Sequence, residues 1–498
     1  MRGAWVVAAA FVALQLAFVN QYGIFRDELY YIACGEHLAW GYVDHPPFIA
    51  LVAWLSRRVF GDSLFAIRLL SALAGGATIL LAGRLAILFG GDRWAAALAA
   101  LAVAISPVML FIFHILSMNA WDILWWTATA FVVARILIER RERLWIVAGV
   151  LIGVGLETKW SMGFLVAGLG AGFLLTRERQ WIRSGWLLAG AAIAVAIAAP
   201  HVIWQIANGW PTLEFIRNAD ELKNARLTPL QFLGSHLLEL HPVNVLLVIA
   251  ALVHFFVADE GRLRVFGWAY VTLLLLIFVQ NGKTYYLSPA FPFVLAGGSA
   301  GLMRLLSSRP AAVRAGGLGV ILLAGAVTAP AAFPLLSVDR YIAYTQALGL
   351  QPPNAERHET AELPQFFADM FGWDAIVRTT AQVYRALPPE DQARVAIVAP
   401  NYGVAGAIDF LGPAHGLPLK AISPHNSYYL WGYGDISGEV LIVIGGGIDD
   451  LRRSFEGVEQ TATIDCGYCM PSENRPVYIV RGPKRPLPDL WAAAKLFI

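Results

Sequence analysis

Long apolar runs recur along this chain from its N-terminus to about Ala329, and short polar segments separate them. A membrane helix needs roughly 20 apolar residues to cross a hydrocarbon core of about 30 Å. With some spans shorter than this, the runs predict about eleven transmembrane helices. No small-residue cleavage site follows the first run, "GAWVVAAAFVALQLAFV", so we interpret it as a retained span rather than a signal peptide.

The polar segments between the runs are of two kinds, which together predict the topology. Segments rich in arginine lie at 90–93, 139–143, 176–183, 259–264 and 307–314. The positive-inside rule assigns them to the cytoplasm. The outward-facing segments are then 114–122, 157–162, 201–240 and 281–286. Because the number of spans is odd and Arg2 is inside, the C-terminal part of the chain is expected outside.

The composition agrees with a membrane protein. Of the 498 residues, 58% are hydrophobic and 14% are charged, which excludes an ordinary soluble globular protein. The net charge of +2 does not indicate a nucleic-acid partner, which would require a clustered basic face. Cys466 and Cys469, in "CGYC", are close enough to pair or to hold a metal, and we favour two free thiols or one local disulfide.

From about Phe333 onward the sequence changes character. Short β-like runs, "RVAIVAP", "EVLIVIGGG" and "PVYIVRG", alternate with helical stretches, "AGAIDFL" and "IDDLRRSF". This alternation is typical of a small α/β domain. We therefore predict a polytopic α-helical membrane domain over residues 1–332, with a first outer loop at about 20–62, and an extracytoplasmic α/β domain over residues 333–498.

Two of the apolar runs are short for membrane spans. The runs 144–156 and 163–175 have about 13 residues each, or roughly 20 Å of helix. Their junction, which carries Lys159, is therefore expected at or below the outer membrane surface. An ammonium group at that depth is costly unless it meets an anion. Alternatively, Lys159 extends to the lipid headgroups or pairs with Glu157.

The outward-facing segments collect the residue types that an active site uses. Each member also has a plausible structural role: Asp122 could cap a helix, Asp44 could form a turn, and His114 could be a satisfied core histidine. Their common face nevertheless favours a shared function. The candidates are Arg26, Asp27, Glu28, Asp44, His45, His114, Asn119, Asp122, Lys159, Lys283, Tyr285 and Tyr286.

A lysine at the depth of the lipid phosphates and a carboxylate above it suit a substrate with a phosphate at the headgroup level and a reactive group above the membrane. A polyprenyl-phosphate sugar is such a substrate. In an inverting transfer, one carboxylate accepts the proton of the acceptor hydroxyl as its oxygen attacks the anomeric carbon. The lipid phosphate leaves readily and needs positive charge, which Lys159, Lys283 or Arg26 would supply.

The stretch "FRDELYYIACGEHLAWGYVDHPPFIALVAWL" resembles the membrane-embedded C-type glycosyltransferases, in particular the protein mannosyltransferase and aminoarabinose transferase superfamily. The resemblance extends to "HILSMNAWDILWW", "GVLIGVGLETKWSMGFLV" and "NGKTYYLSPAFPFVLAGG". It implies that Asp27 is the catalytic base and that Glu28 orients the acceptor or shares the proton. It also implies that Lys159, and less directly Lys283, bind the lipid phosphate.

The chain lacks the inserted β-trefoil of the eukaryotic mannosyltransferases, which places protein O-mannosylation in doubt. Its layout resembles bacterial members, whose acceptors include lipids and envelope glycans. The resemblance thus implies a multi-pass protein of the bacterial inner membrane, with a polyprenyl-phosphate sugar donor and a lipid, glycan or protein acceptor. His37, His45 and the neighbouring acids could form a metal site, but no histidine pair has the HxxxH spacing of a helical site, so a divalent cation is not indicated.

In the C-terminal domain, the loop "SPHNSYYLWGYGD" concentrates aromatic and amide groups. It could stack on a sugar, with His425, Asn426, Tyr428 and Trp431 as the candidate binding residues, or it could pack against the membrane domain. The nearby "LIVIGGGIDDLRRSF" lacks the GxGxxG spacing of a nucleotide site.

Two other classes of function remain open. A transporter or flippase of a lipid-linked precursor predicts inverted repeats and polar residues near the bilayer midplane. Neither is evident in the sequence. A non-enzymatic receptor or scaffold would leave the pair Asp27–Glu28 and Lys159 without a role.

Overall fold

The computed structural model describes residues 1–224, 227–258, 261–280, 282–349 and 361–498. Residues 259 and 260, in one predicted cytoplasmic segment, and Asn281, in one predicted outward segment, lie outside the described residues. The described chain is mainly α-helical. Its helices are α1 (Arg2–Ala17), α2 (Arg26–Glu36), α3 (Phe48–Phe60), α4 (Leu64–Leu88), α5 (Arg93–Ile105), α6 (Pro107–Ile112), α7 (Met118–Glu139), α8 (Leu144–Leu156), α9 (Met162–Leu174), α10 (Gly185–Ala207), α11 (Pro211–Asn218), α12 (Pro229–Leu240), α13 (Val245–Val257), α14 (Arg264–Val279), α15 (Phe291–Leu305), α16 (Ala311–Thr328), α17 (Val338–Ala347), α18 (Gln365–Ala368), α19 (Trp373–Ala386), α20 (Pro389–Gln392), α21 (Tyr402–Leu411), α22 (Asn426–Trp431), α23 (Ile448–Ser454) and α24 (Leu487–Ala494).

Within the described ranges, four helical stretches are long and apolar enough to cross a membrane: α4, α7, α10 and Ala311–Ala331. A fifth results if α12 and the stretch Pro242–Val257, which meet at 96°, count as one span. The predicted number of about eleven spans is therefore not confirmed. The reason is length, since several other apolar helices, such as α1 and α5, have only 16 and 13 residues.

The two short runs on either side of Lys159 do form short helices. Helices α8 and α9 have 13 residues each, which corresponds to about 20 Å of helix. The turn between them leaves Lys159 at the helix junction, as the sequence predicts.

The described chain divides into two compact units, which do not coincide with a single cut in the sequence. The first unit comprises the described parts of Met1–Gln21, Ser56–Ile203 and Arg226–Tyr341. The second comprises the described parts of Tyr22–Leu55, Trp204–Ala225 and Ile342–Ile498. The division of the chain into domains at residues 332 and 333 stays a prediction.

In the first unit, apolar side chains of many helices form one continuous core, which includes Trp126, Phe255 and Phe293. Small residues allow close helix contacts in this core. At Gly298 of α15, an added Cβ atom would lie only 1.9 Å from the carbonyl oxygen of Leu247 on α13, so only glycine permits this approach.

The second unit contains a five-stranded sheet in the order β2-β1-β3-β5-β4. Strand β1 pairs in parallel with β2 and β3, whereas β5 pairs antiparallel with β3 and β4. The predicted strands are confirmed as β1, β3 and β5, and the predicted helices as α21 and α23. The strands are β1 (Ala396–Val398), β2 (Ala421–Ile422), β3 (Val440–Ile444), β4 (Phe455–Thr463) and β5 (Pro476–Pro483).

A disulfide joins Cys466 and Cys469 in the same unit. For "CGYC" the sequence favours either two free thiols or one local disulfide, and the structure shows the disulfide.

Candidate active site

Asp27 and Glu28 lie in the first turn of α2, but their side chains differ in accessibility. The backbone N–H of Phe25 donates a hydrogen bond to Glu28 Oε2 at 2.7 Å, which closes the start of the helix. Glu28 is fully buried, while the Asp27 side chain is 33% exposed. Only the Asp27 carboxylate is therefore open to a substrate hydroxyl.

We call the residues around this carboxylate the Asp27 cluster: Arg26, Asp27, Asp369 and Tyr402, all in the second unit. The Tyr402 hydroxyl donates a hydrogen bond to Asp27 Oδ1 at 2.9 Å. The Arg26 guanidinium lies 3.7 Å from Asp27 Oδ1 and 3.5 Å from Asp369 Oδ2. Asp27 Oδ1 therefore has two neighbours: the neutral Tyr402 hydroxyl, which donates to it, and the Arg26 guanidinium, which also lies near Asp369.

Asp44 is half-buried in the second unit, and its neighbour His45 is completely buried there. The Tyr30 hydroxyl lies 2.8 Å from Asp44 Oδ1 and 2.7 Å from Ser427 Oγ. Burial raises the pKa of Asp44. Asp44 therefore supports the loop through Tyr30 and Ser427.

His45 is completely buried, and both of its ring nitrogens have neighbours. Nδ1 lies 2.8 Å from the Pro46 carbonyl oxygen, and Nε2 lies 3.7 Å from the Cys34 thiol. Burial lowers the pKa of the imidazole, which favours the neutral form. The sequence-predicted role of His45 in substrate binding is at odds with this burial, because its ring has no surface to offer.

The side chains of His425 and Asn426 form hydrogen bonds with other residues of the second unit. The Asn426 amide forms hydrogen bonds with the backbone of Ile498, donating at 3.3 Å and accepting at 2.9 Å. His425 Nδ1 accepts a hydrogen bond from the Tyr402 backbone N–H at 3.3 Å, and burial lowers the pKa of His425 to about 3. Both side chains are buried in contacts within the second unit, so neither has an open surface for a sugar, and packing of the loop against the membrane domain stays a prediction.

In the first unit, Lys159 lies among amide and aromatic groups, which we call the Lys159 cluster: Asn119, Lys159, Tyr285 and Tyr286. The Lys159 ammonium donates to Asn119 Oδ1 at 2.6 Å. It lies 4.5 Å from the ring centre of Tyr286 and 5.4 Å from that of Tyr285. Within the described residues it forms no salt bridge, so the alternative pairing with Glu157 is not seen. The structure thus brings together four residues that the sequence selected from three separate segments.

Asp122 and Lys283, two other predicted residues of this unit, have different surroundings. Asp122 Oδ2 accepts a hydrogen bond from Ser161 at 2.6 Å, and the residue is 1% exposed. Lys283 directly precedes the 3₁₀ turn Thr284–Ala290, which carries Tyr285 and Tyr286.

His114 is buried and lies 3.1 Å from Gln15 Oε1 and 3.4 Å from the Arg68 guanidinium. Its surroundings are those of a satisfied core histidine, the structural alternative that the sequence leaves open. A role in substrate binding would require this buried network to open.

Sequence reasoning missed Tyr402, Ser161 and Tyr30. The sequence offers one signal for Tyr402, the strand-turn-helix pattern of "ARVAIVAPNYGVAGAIDFLG", which places it at a helix N-terminus. Nothing local links that turn to Asp27, which is 375 positions away. For metals, no group of three or more His, Cys, Asp or Glu side chains among the described residues could hold an ion.

Comparisons with known proteins agree with this architecture. Residues 44–204 match the profile of the family described as dolichyl-phosphate-mannose-protein mannosyltransferase. No curated protein sequence matches the chain. The crystal structure of ArnT from Cupriavidus metallidurans bound to undecaprenyl phosphate matches with a TM-score of 0.61 and 14% identity, over 95% of this chain and 97% of that one. The apo state of the same protein matches with a TM-score of 0.60, 14% identity and the same coverage.

An oligosaccharyltransferase from Archaeoglobus fulgidus, tethered with an acceptor peptide, gives a TM-score of 0.47 and 13% identity, over 81% of this chain and 63% of that one. The fold is that of the membrane-embedded C-type glycosyltransferases. Within that class, the predicted resemblance to the protein mannosyltransferase and aminoarabinose transferase superfamily is confirmed by the profile match over residues 44–204 and by the likeness of the fold to ArnT.

Proposed function

We propose that this protein is an inverting glycosyltransferase that moves a monosaccharide, a hexose or a pentose, from a polyprenyl-phosphate donor to a hydroxyl acceptor on the outer face of the bacterial inner membrane. The acceptor is a lipid, a glycan or a protein. The undecaprenyl phosphate in the related ArnT structure supports a polyprenyl-linked donor. The Cys466–Cys469 disulfide supports an outer location for the second unit, because disulfides persist in oxidising compartments.

One observation carries the proposal: of the two adjacent carboxylates in the first loop, only Asp27 is accessible. Its Oδ1 accepts from Tyr402, and Oδ2 forms no hydrogen bond with any residue that the structure describes. A base requires such an oxygen within reach of the acceptor hydroxyl.

In the proposed reaction, Asp27 Oδ2 acts as the base. The acceptor oxygen attacks the anomeric carbon while its proton passes to Asp27 Oδ2. The bond between the anomeric carbon and the donor phosphate oxygen breaks, and its electron pair leaves with the polyprenyl phosphate. The configuration at the anomeric carbon inverts, since attack and departure occur on opposite faces.

We assign Lys159 to the donor phosphate. Its ammonium has an amide oxygen and two aromatic faces as neighbours, and it forms no salt bridge with any residue that the structure describes. A phosphate would supply an anion through charge-assisted hydrogen bonds. Lys283 and Arg26 are further candidates for balancing the charge of the leaving group.

The burial of Glu28 changes its proposed role. A fully buried carboxylate that caps α2 does not contact an acceptor, so Glu28 acts by fixing the helix that carries Asp27. Asp44 is half-buried, and we assign it the role of supporting the loop through its hydrogen bond with Tyr30.

The test is a transfer assay with purified protein in lipid vesicles and a panel of radiolabelled polyprenyl-phosphate hexoses and pentoses. Acceptors are extracted envelope lipids and glycans. Asp27→Asn keeps the shape of the side chain and removes its basicity, so turnover should fall by about 10² or more while donor binding remains. The control is Asp435→Asn, at an exposed aspartate of the same unit.

A folded Asp27→Asn protein that transfers sugar at the wild-type rate would show that Asp27 is not the base. A wild-type protein that transfers no sugar from the panel, yet moves a labelled lipid precursor across the vesicle membrane, would favour the transporter alternative.

A further inference from the structure

We infer that Tyr402, in the C-terminal part of the chain, is a positioning residue for the base Asp27. This inference rests on the proposed function, because it assigns to Tyr402 a role in the reaction proposed for Asp27. Through this contact inside the second unit, a residue from the C-terminal part of the chain orients the base of the reaction.

The contact is a hydrogen bond from a rigid donor to a more accessible acceptor. Tyr402 is 7% exposed, against 33% for the Asp27 side chain. Its hydroxyl donates to Asp27 Oδ1 at 2.9 Å. A donor fixed on Oδ1 restricts rotation of the carboxylate and leaves Oδ2 directed away from Tyr402, available to an acceptor hydroxyl.

Several contacts hold the Tyr402 ring in place. It stacks on Tyr30 with ring centres 4.5 Å apart, and the Arg26 guanidinium lies 5.8 Å from its centre. Its backbone N–H donates to His425 Nδ1. Tyr402 is also the first residue of α21, whose start is capped by Asn401, since the Asn401 side chain accepts from the Val404 N–H at 2.9 Å.

Two glycines allow α21 to approach α2. A Cβ atom on Gly403 would lie 2.6 Å from Arg26 Cγ, and one on Gly406 would lie 2.9 Å from the backbone carbon of Leu29. A larger residue at position 406 would meet the backbone of α2 and push the two helices apart, whereas one at position 403 would displace the Arg26 side chain. The sequence "NYGVAG" thus supplies both the donor and the close approach that the donor requires.

The Tyr402 hydroxyl keeps its proton at neutral pH. Burial raises the pKa of Tyr402 well above its ordinary value, and the nearby Arg26 guanidinium lowers it only in part. Tyr402 therefore serves as a donor to the carboxylate and does not compete with Asp27 as a base.

The test is Tyr402→Phe, which removes one oxygen and keeps the ring stack. We expect turnover to fall about 10-fold, since hydrogen bonds to charged groups have large effects, while the KM for the donor stays within about twofold. In an Asp27→Asn background, Tyr402→Phe should cause no further loss.

The matched control is Tyr428→Phe. Tyr428 is also buried in the second unit, and its hydroxyl donates to a different carboxylate, Asp409 Oδ2, at 2.8 Å. A similar loss of stability in both variants, with turnover lowered at an unchanged KM only in Tyr402→Phe, separates positioning from a general structural role.

A graded variant keeps the test decisive if Tyr402→Phe does not fold. Incorporation of 3-fluorotyrosine at position 402 retains the ring and the hydroxyl and makes the hydroxyl a stronger donor, so turnover should change while the KM for the sugar donor stays within about twofold. Turnover unchanged in the fluorotyrosine protein would overturn the role of Tyr402. The proposed function would still stand if Asp27→Asn were inactive, and it would fall separately if Asp27→Asn were active.

Discussion

Asp27 and Glu28 are neighbours in the sequence, yet Glu28 is completely buried at the start of α2 while a third of the Asp27 side chain is exposed. The helix produces this difference. Consecutive residues project about 100° apart around a helix, so one carboxylate turns back to the Phe25 N–H and the other points away. The pair therefore divides into a helix cap and a candidate base.

Glu28 should accordingly matter for stability. Glu28→Ala removes the acceptor of the Phe25 N–H and should lower the free energy of unfolding by about 1 kcal/mol, the usual cost of a lost helix cap. Glu28→Gln keeps a carbonyl oxygen there and should be milder. Thermal unfolding in detergent measures both, with Asp27→Asn as the control. If Glu28→Gln abolishes transfer without loss of stability, Glu28 acts in the reaction itself.

Lys159 should determine affinity for the donor phosphate. Lys159→Ala should raise the Kd for undecaprenyl phosphate at least about 10-fold, because a charge-assisted contact is lost. Lys159→Arg keeps the charge at a cost in geometry and should weaken binding less. Binding is measured by competition with a labelled polyprenyl phosphate. Lys420→Ala is the control, at an exposed lysine paired with Glu36. Equal affinities in all proteins would reduce Lys159 to a structural residue.

Asp409 should make stability depend on pH. Burial raises the pKa of Asp409 from 3.8 to about 6. The folded protein then binds this proton more tightly than the unfolded chain does, so its stability falls as pH rises from about 4 to about 6, by at most about 1.4 kcal/mol per pH unit. Asp409→Asn cannot ionise and should lack this decrease. Unfolding midpoints across that range test the difference, and parallel curves for both proteins would contradict it.

The topology predicts which surfaces a membrane-impermeant thiol reagent reaches. In intact cells, a cysteine introduced at Glu459, exposed on β4, should be labelled, while one at Arg141, in an arginine-rich segment, should be labelled only after lysis. The wild-type protein serves as the blank, because Cys34 is buried and the other two cysteines form a disulfide. The opposite labelling pattern would place the Asp27 cluster in the cytoplasm.

The sequence by itself determined the features that depend on local pattern. Hydrophobic run lengths predicted α8 and α9 and placed Lys159 between them, and alternating strand and helix signals predicted β1, β3, β5, α21 and α23. Such features follow from residues within a few turns of one another, where periodicity and turn residues act. The four members of the Lys159 cluster could be predicted from the sequence because all of them lie in polar segments that are expected to face outward.

Only the tertiary structure decided which of these residues are accessible and what they contact. The sequence could not show that Glu28 and His45 are buried, or that His425 supports the Tyr402 backbone. Nor could it show that Tyr402 reaches Asp27 across 375 positions. Burial and partner choice depend on how distant segments pack, as at Gly403 and Gly406, where the absence of a side chain lets α21 approach α2.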